Sequence, residues 1–335
     1  MTDVRILGTG AYVPDRVVSN DEAAAAAGVD DAWVVSKTAI RERRWAADDQ
    51  ATSDLAAAAG RAALASAGIT ADQLSLIVVA TSTPDRPQPP TASYVQQKLG
   101  ATGAAAFDIN AVCSGLVFGL SAVEGILARR GGHALIIGAD VYSRILNPAD
   151  RRTVILFGDG AGAMVLSADG HDEAQQDGAR PGARVRHVAL HSFGDHSNLI
   201  EVTGGGSRQP LDHAGLDAGL QYFTMDGRGV RSFVSDNLPQ LTKEFLHEAG
   251  VVPDDIRHFV PHQANGVMLD SVFADMGLPL ATMHWTLGEY ANTGAASIAI
   301  TFDAAARAGA FSPGDLILLA GFGGGMAVGF ALIEW

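Results

Sequence analysis

Three residues in this 335-residue chain have the chemistry to make a nucleophile and to serve it: Cys113, His262 and Asn292. Cys113 is the only cysteine, set in Asp108-Ile109-Asn110-Ala111-Val112-Cys113-Ser114-Gly115-Leu116-Val117-Phe118-Gly119-Leu120, where an apolar strand-like run gives way to a helical pattern. A thiol at a helix N-terminus faces unpaired backbone N–H groups and the positive end of the helix dipole, which lower its pKa and favour the thiolate. The competing reading is a buried cysteine that acts as a small apolar filler. A thiolate nucleophile needs a neighbour that exchanges a proton or holds developing negative charge, and histidine and asparagine supply both. His262 ends a strand in Val260-Pro261-His262-Gln263-Ala264-Asn265, and Asn292 starts a helix in Tyr290-Ala291-Asn292-Thr293-Gly294. Either alone is explained by a satisfied loop histidine or a helix cap. Their matched placement at strand ends and helix starts makes the three a candidate site.

The elements that must position these residues follow from the pattern. Residues 74–80, 105–110, 134–140 and 256–261 are β-branched and apolar runs, as expected of strands buried on both faces of a parallel sheet. Helices are expected from Ser19-Asn20-Asp21-Glu22 through an alanine run, over 52–67, over 92–99, from Cys113 to Arg129-Arg130-Gly131-Gly132, and over 229–248. Residues 30–45 read as an amphipathic, locally basic stretch, whose plain reading is a solvated face with Trp33 packed inward. Composition turns polar between Ser167 and Ala183, the best boundary candidate. It separates an N-terminal half, 1–170, from a C-terminal half, 184–335. The helix starting at Cys113 leads through Gly131-Gly132 into a buried strand, and the helix starting near Asn292 leads through Gly314-Asp315 into another. An internal duplication of about 150 residues follows, the size of one domain, and it would bring the two helix starts together.

Composition narrows the function. A net charge of −14 without a Lys/Arg-dense run argues against binding nucleic acid through its phosphates. One cysteine excludes an internal disulfide framework and a Cys-based zinc site, so no metal is expected, and it suits a reducing compartment. The start, Met1-Thr2-Asp3-Val4-Arg5, lacks the regions of a secretory signal, and the expected location is cytoplasmic. Residues 316–333 carry no charge over a length that could cross a bilayer, but Gly321, Gly323, Gly324, Gly325 and Gly329 interrupt them. They read as two buried strands joined by a glycine-rich turn, and no membrane span is expected.

The segments Ala111-Val112-Cys113-Ser114-Gly115, Phe157-Gly158-Asp159-Gly160-Ala161-Gly162, Pro261-His262-Gln263-Ala264-Asn265, Asn292-Thr293-Gly294-Ala295-Ala296-Ser297 and Gly321-Phe322-Gly323-Gly324-Gly325 occur in an order that resembles β-ketoacyl-acyl-carrier-protein synthase III, of the thiolase superfamily. The resemblance covers essentially the whole chain. It implies an α/β, thiolase-like five-layered αβαβα fold with two duplicated halves, a homodimer and a Cys113-His262-Asn292 triad. It implies that Cys113 takes an acyl group from acyl-CoA, a substrate and not a cofactor, and that His262 and Asn292 hold the thioester oxygen of a malonyl group on acyl carrier protein during decarboxylation. It implies an oxyanion hole from the N–H groups of Cys113 and Gly324. It places Trp33, Lys37, Arg151, Ala264 and Asn265 along the coenzyme A path, and Leu146, Leu156, Leu190, Phe223, Met225 and Phe322 around an apolar acyl pocket. Three departures stand out. Val267 and Ser232 occupy positions where many members carry carrier-docking basic residues, Arg228 and Arg231 appear nearby, and Ala39 replaces a usual glycine, a small change. The rival reading is an acyltransferase or ketosynthase of secondary metabolism with a different acceptor.

Overall fold

The β-branched runs fold as strands and the alanine-rich and amphipathic stretches as helices, in a computed structural model that describes residues 3–168 and 182–335. The first half contains β1 (Arg5–Tyr12), β2 (Val17–Ser19), α1 (Asn20–Ala23), α2 (Asp31–Thr38), β3 (Glu42–Arg44), α3 (Thr52–Ala67), β4 (Leu74–Ala80), α4 (Thr91–Leu99), β5 (Ala105–Ile109), α5 (Gly115–Arg130), β6 (His133–Asp140) and β7 (Gly160–Ser167). The second contains β8 (Ala183–Ser192), β9 (Ile200–Val202), α6 (His213–Asp217), β10 (Phe223–Met225), α7 (Gly227–Ala249), β11 (Ile256–Pro261), α8 (Gly266–Asp275), β12 (Thr282–Met283), α9 (Leu287–Tyr290), α10 (Ser297–Arg307), β13 (Leu316–Gly323) and β14 (Ala327–Glu334).

Ten of these strands run in the order β12-β11-β13-β14-β8-β1-β7-β6-β4-β5. The order is one motif used twice. In each half the third, second and fourth strands of the main sheet lie parallel, and the fifth and first close it antiparallel. The halves join where Arg5 and Ile6 pair with Arg184 and Ala183. Between the two sheet halves lie α5 and α10, whose Leu116, Leu120, Ile298 and Phe302 pack against strands of both halves in one core. Leu55, Ala59 and Val95 of α3 and α4 cover the outer face of the first sheet. Phe245, Leu269 and Val272 of α7 and α8 cover that of the second. The result is the five-layered α/β arrangement with duplicated halves. Strand faces covered on both sides explain the continuous apolar runs.

The layers meet closely because glycine stands where they cross. A Cβ on Gly138 of β6 would lie 2.2 Å from the carbonyl oxygen of Ala295, so the turn before α10 touches the β6 backbone only through a bare glycine. Residues 316–333 form the antiparallel pair β13 and β14, as their glycines predict. Helix α5, with the turn before it, is long and apolar enough to cross a membrane; its apolar side chains are core. The boundary expected at 167–183 lies almost wholly outside the described residues.

Two expectations change. The stretch 30–45 is helix α2, a turn at Ala39 and strand β3, not one solvated helical face. Within it Arg43 is fully buried, donating from Nη1 to the Ile155 carbonyl at 2.9 Å and from Nη2 to Asn20 Oδ1. Burial lowers its pKa to about 10, against the pull of Asp31. Ala39, the replacement expected to matter little, has φ of +62° at the C-terminus of α2. Replacing Ala39 with glycine is expected to raise stability by roughly 0.5–1 kcal/mol. This is the difference between a left-handed penalty of about 1–2 kcal/mol for alanine and about 0.4–1 kcal/mol of added freedom in the unfolded chain. The midpoint of urea unfolding should rise, and a fall would show that Ala39 is unstrained.

Candidate active site

Cys113 sits on a one-turn 3-10 segment, Val112–Ser114, that links β5 to α5. Val112 has φ of +47°, a conformation costly for a β-branched residue, on the order of 1–3 kcal/mol. The turn is held by Val112 N–H donating to Asn110 Oδ1 at 3.1 Å and by Ser114 Oγ donating to the Ala327 carbonyl at 2.9 Å. β13 presses on it from the other half, since a Cβ on Gly323 would stand 2.7 Å from the Cys113 Cβ. Gly323 is therefore the glycine that admits the thiol-bearing residue. A Cβ on the next residue, Gly324, whose N–H is the expected oxyanion-hole donor, would meet Val112 and Ile200.

His262 follows β11 and is nearly fully buried. Its backbone N–H donates to the Ala320 carbonyl at 2.8 Å, and its Nδ1 lies 2.7 Å from Ser297 Oγ, at the start of α10. The ring meets Phe322 edge-on at 5.3 Å between centroids. Burial lowers its pKa to about 3, so the ring is neutral at physiological pH. Asn292 is fixed at both ends of its backbone, donating to the Leu156 carbonyl and accepting from Gly158 N–H. Its Oδ1 accepts from Gly294 N–H at 2.9 Å, which orients the amide and leaves Nδ2 as the donor.

These three side chains line one cavity of about 280 Å³. They form its buried end, and the exposed Lys37, Arg151, Arg152 and Arg231 line the same cavity toward solvent. The Arg151 guanidinium lies 5.9 Å from the Trp33 ring centroid. Ala264 and Asn265 also border the cavity. The Asn265 amide is already engaged, accepting from Met268 N–H to cap α8 and donating to the Lys37 carbonyl at 3.0 Å. Of the expected acyl-pocket residues, Leu156, Phe223, Met225 and Phe322 line the cavity. Leu146 does not: it is buried behind that wall, in a cluster with Val154 and Phe157. Leu190 does not either: it pairs with Gly329 on the α5 side of β8, near Val117, and is 39% accessible.

The expected low thiol pKa is overturned. Burial pushes the Cys113 thiol up to about 12, and the Asp140 carboxylate adds to the rise against hydrogen bonds from Tyr142 and the residue's own N–H. One short turn of helix dipole, worth at most about 2 kcal/mol even in a partly buried site, does not offset a dry site with a second negative charge behind it. Asp140, Tyr142 and Ser297 are the residues that sequence reasoning passed over. Asp140 ends a strand that reads as plain core, and Ser297 stood inside a quoted motif without a role. Among the described residues no group of three or more His, Cys, Asp or Glu side chains could hold a metal ion.

A buried thiol beside two neutral donors, reached by a channel with a cationic mouth, is an acyl-transfer site of the thiolase-fold condensing type. The sequence profile for 3-oxoacyl-[acyl-carrier-protein (ACP)] synthase III matches residues 107–182, and the profile for its C-terminal part matches 246–335. The chain belongs to the 3-oxoacyl-acyl-carrier-protein synthase III family, whose enzymes are transferases of the thiolase superfamily. It is 71% identical to the acetoacetyl CoA synthase NphT7 of Streptomyces sp. (strain CL190), covering 100% of both chains. It is 41% identical to the β-ketoacyl-[acyl-carrier-protein] synthase III of Rhodopirellula baltica, covering 99% of this chain and 98% of that one. Among solved structures, the 3-oxoacyl-(acyl carrier protein) synthase III of Pseudomonas aeruginosa PAO1 superposes with a TM-score of 0.87 at 36% identity, over 99% of this chain and 98% of that one. The priming β-ketosynthase of the R1128 polyketide pathway gives 0.87 at 30%, over 99% and 96%.

The buried neutral His262 has a pH signature. The unfolded chain takes up a proton at this residue below about pH 6.5, while the folded ring stays neutral down to about pH 3. Stability is therefore lost as pH falls through that window, by up to about 1.4 kcal/mol per unit. The His262 ring nitrogens, followed by NMR, should not titrate between pH 5 and 8; a midpoint near 6.5 would show an open site.

Proposed function

We propose that this condensing enzyme loads a short acyl group from acyl-CoA onto Cys113 and extends it with a malonyl unit carried on coenzyme A, giving acetoacetyl-CoA when the acyl group is acetyl. The observation that carries the proposal is the Cys113, His262 and Asn292 cluster at the buried end of one channel. Full-length identity of 71% to an acetoacetyl CoA synthase supports coenzyme A as the acceptor's carrier. So does the exposed Val267 at the cavity mouth, a position where many members of the family carry a carrier-docking base. A short acyl group suits the buried aromatic wall, in which Phe157 stacks on Tyr142 at 4.3 Å and meets Phe223 at 4.9 Å. A malonyl unit on acyl carrier protein is the second reading, favoured by Arg228 and Arg231, which α7 exposes beside the mouth.

In the loading step the Cys113 sulfur attacks the thioester carbonyl, and coenzyme A leaves as its thiol. In condensation the bond between the malonyl carboxylate and its methylene carbon breaks and carbon dioxide departs. The electron pair becomes an enolate whose oxygen His262 and the Asn292 Nδ2–H stabilise as preorganised neutral donors. If the Ser297 hydroxyl donates to Nδ1, Nε2 carries the proton that this role needs. The enolate carbon attacks the Cys113 thioester, and collapse expels the Cys113 thiolate and leaves a β-keto thioester on the acceptor. The Cys113 N–H is assigned to the oxyanion hole of this intermediate, with Gly324 as its partner donor. Trp33 and Arg151 are assigned to the adenine. A planar base between them needs roughly 7 Å, twice a contact distance of about 3.5 Å, so Arg151 must swing outward by about 1 Å from its present 5.9 Å. A homodimeric, cytoplasmic enzyme completes the reading; the lone cysteine suits a reducing compartment, and sedimentation tests the dimer.

Two measurements test the proposal. Purified protein given acetyl-CoA should make acetoacetyl-CoA and carbon dioxide at least about tenfold faster from malonyl-CoA than from malonyl carrier protein, a margin of about 1.4 kcal/mol in transition-state binding; the reverse preference would overturn the choice of acceptor. Cys113→Ala should abolish acyl loading in intact-protein mass spectrometry. His262→Ala and Asn292→Ala should keep loading within about tenfold but lower condensation by roughly 10²–10³-fold, and equal loss of loading in all three would refute this division of roles.

A further inference from the structure

His262 and Asn292 reach the site on separate segments, one following β11 and the other following α9. Two donors stabilise a single enolate oxygen only when each lies about 2.7–3.1 Å from it, so the spacing of the two segments has to be held. A buried amide joins them. Gln263, the residue after His262, is fully buried, and its Oε1 accepts from the N–H groups of Thr286 and Leu287 at 3.0 and 3.2 Å, at the start of α9. Its Nε2 donates to the Pro261 carbonyl at 2.9 Å and to the His284 carbonyl at 3.3 Å. The amide's donors and acceptor sites are all used. Thr286 does not cap α9, its hydroxyl lying 2.6 Å from Thr301 Oγ1 instead, so the side-chain cap comes from Gln263. The first half also grips α9, through Arg41 N–H donating to the Gly288 carbonyl and through Leu287 packed on Ile40. From α9 the chain passes through Ala291 to Asn292, whose backbone is bonded to Leu156 and Gly158. On the other side, Gln263 N–H donates to Ser297 Oγ at 3.3 Å, and that oxygen lies 2.7 Å from His262 Nδ1. Of the two groups bonded to Oγ only Nδ1 can accept, so the Ser297 proton goes there and Nε2 carries the ring proton.

We propose that Gln263 is a positioning residue that sets the distance between His262 and Asn292, and with it their ability to share one enolate oxygen. The inference rests on these two residues being the donors of the condensation step. Gln263 lies outside the cavity lining and touches no reacting atom. It acts through backbone: Nε2 fixes the end of β11 against the turn at His284, and Oε1 sets where α9 begins. An unbranched apolar side chain of similar length would leave two N–H groups and two carbonyls without these bonds in a dry place. Helix α9 would then follow its contacts with the first half and carry Asn292 away from His262. A carboxylate would keep an accepting oxygen for α9 but turn its second oxygen toward the carbonyls of Pro261 and His284, releasing the end of β11. Loading is a different matter. It takes place on the Cys113 turn, which has no hydrogen bond to Gln263, and the spacing of the two donors counts only once the malonyl thioester oxygen gains negative charge.

The test separates the two half-reactions in the full-length protein. Cys113 is acetylated with acetyl-CoA, the acyl-enzyme is counted by intact mass, and malonyl-CoA is added to follow acetoacetyl-CoA formed per acyl-enzyme. Counting only acylated protein removes any loss of folded material from the rate. Gln263→Met and Gln263→Glu should load as the wild type does. Their condensation per acyl-enzyme should fall on the order of 10²-fold, the effect of misplacing a catalytic group by about 1 Å. The glutamate variant, which keeps the accepting oxygen, carries the test if the methionine variant does not fold. A double-mutant cycle supplies the readout that a merely structural residue would not move. Adding Gln263→Met or Gln263→Glu to Asn292→Ala should cost far less than it does in the wild type, because the spacing it held then has no second donor. Wild-type condensation per acyl-enzyme in a folded Gln263 variant, or losses that simply multiply in the cycle, overturn the positioning role. Full condensation by His262→Ala and Asn292→Ala overturns the donor assignment instead, and the positioning role with it.

Discussion

A carboxylate with no access to water must collect its hydrogen bonds from the protein, and Asp140 does so from both halves of the fold. Its Oδ1 accepts from Thr81 Oγ1 and from the backbone and side chains of Ser82 and Thr83; its Oδ2 accepts from Ala295 N–H at 2.8 Å. An unpaired buried charge costs several kcal/mol, so the loop after β4 and the turn before α10 are compelled to meet at the end of β6. That turn carries Asn292 at its entry. Gly294 makes the meeting possible, since its φ is +58° and a Cβ there would stand 2.2 Å from Asp140 Oδ2. The turn that follows Asn292 is therefore anchored to the first half by one buried anion that the Asn292 side chain does not touch.

The architecture was legible in the sequence wherever a signal was local and repeated. Strands covered on both faces betray themselves as apolar runs, and the glycine spacing of 316–333 separated a hairpin from a membrane span. Cys113, His262 and Asn292 were legible because each sits where a strand or helix pattern breaks. The close approach of Gly323 to Cys113 was not legible, because composition cannot say which of three adjacent glycines faces a neighbour. That Leu190 lies outside the cavity lining was not legible either, since a strand pattern does not say how far along the strand a pocket reaches.

The remaining errors share a cause in long-range electrostatics. A helix start suggests a low thiol pKa from residues near in sequence, whereas burial by distant elements dominates and Asp140, on a different strand, adds to the rise. Arg43 was read as solvated because charge runs are usually surface, and its acceptors, the Ile155 carbonyl and Asn20, lie 112 and 23 residues away. Tyr142 likewise stands in a stretch whose pattern says only core. What a side chain is for in this protein depends on which distant backbone is beside it.

Arg43 has a mechanical consequence. Asn20 accepts from Arg43 and donates to Asp31 at 2.8 Å, at the start of α2, while Arg43 also grips the Ile155 carbonyl beside Leu156 and Phe157. The helix bearing Trp33 and Lys37 and the wall facing the acyl group are thereby clamped to one rigid strut. The channel therefore has a fixed gauge between these two walls, and room for a longer chain has to come from elsewhere along its lining.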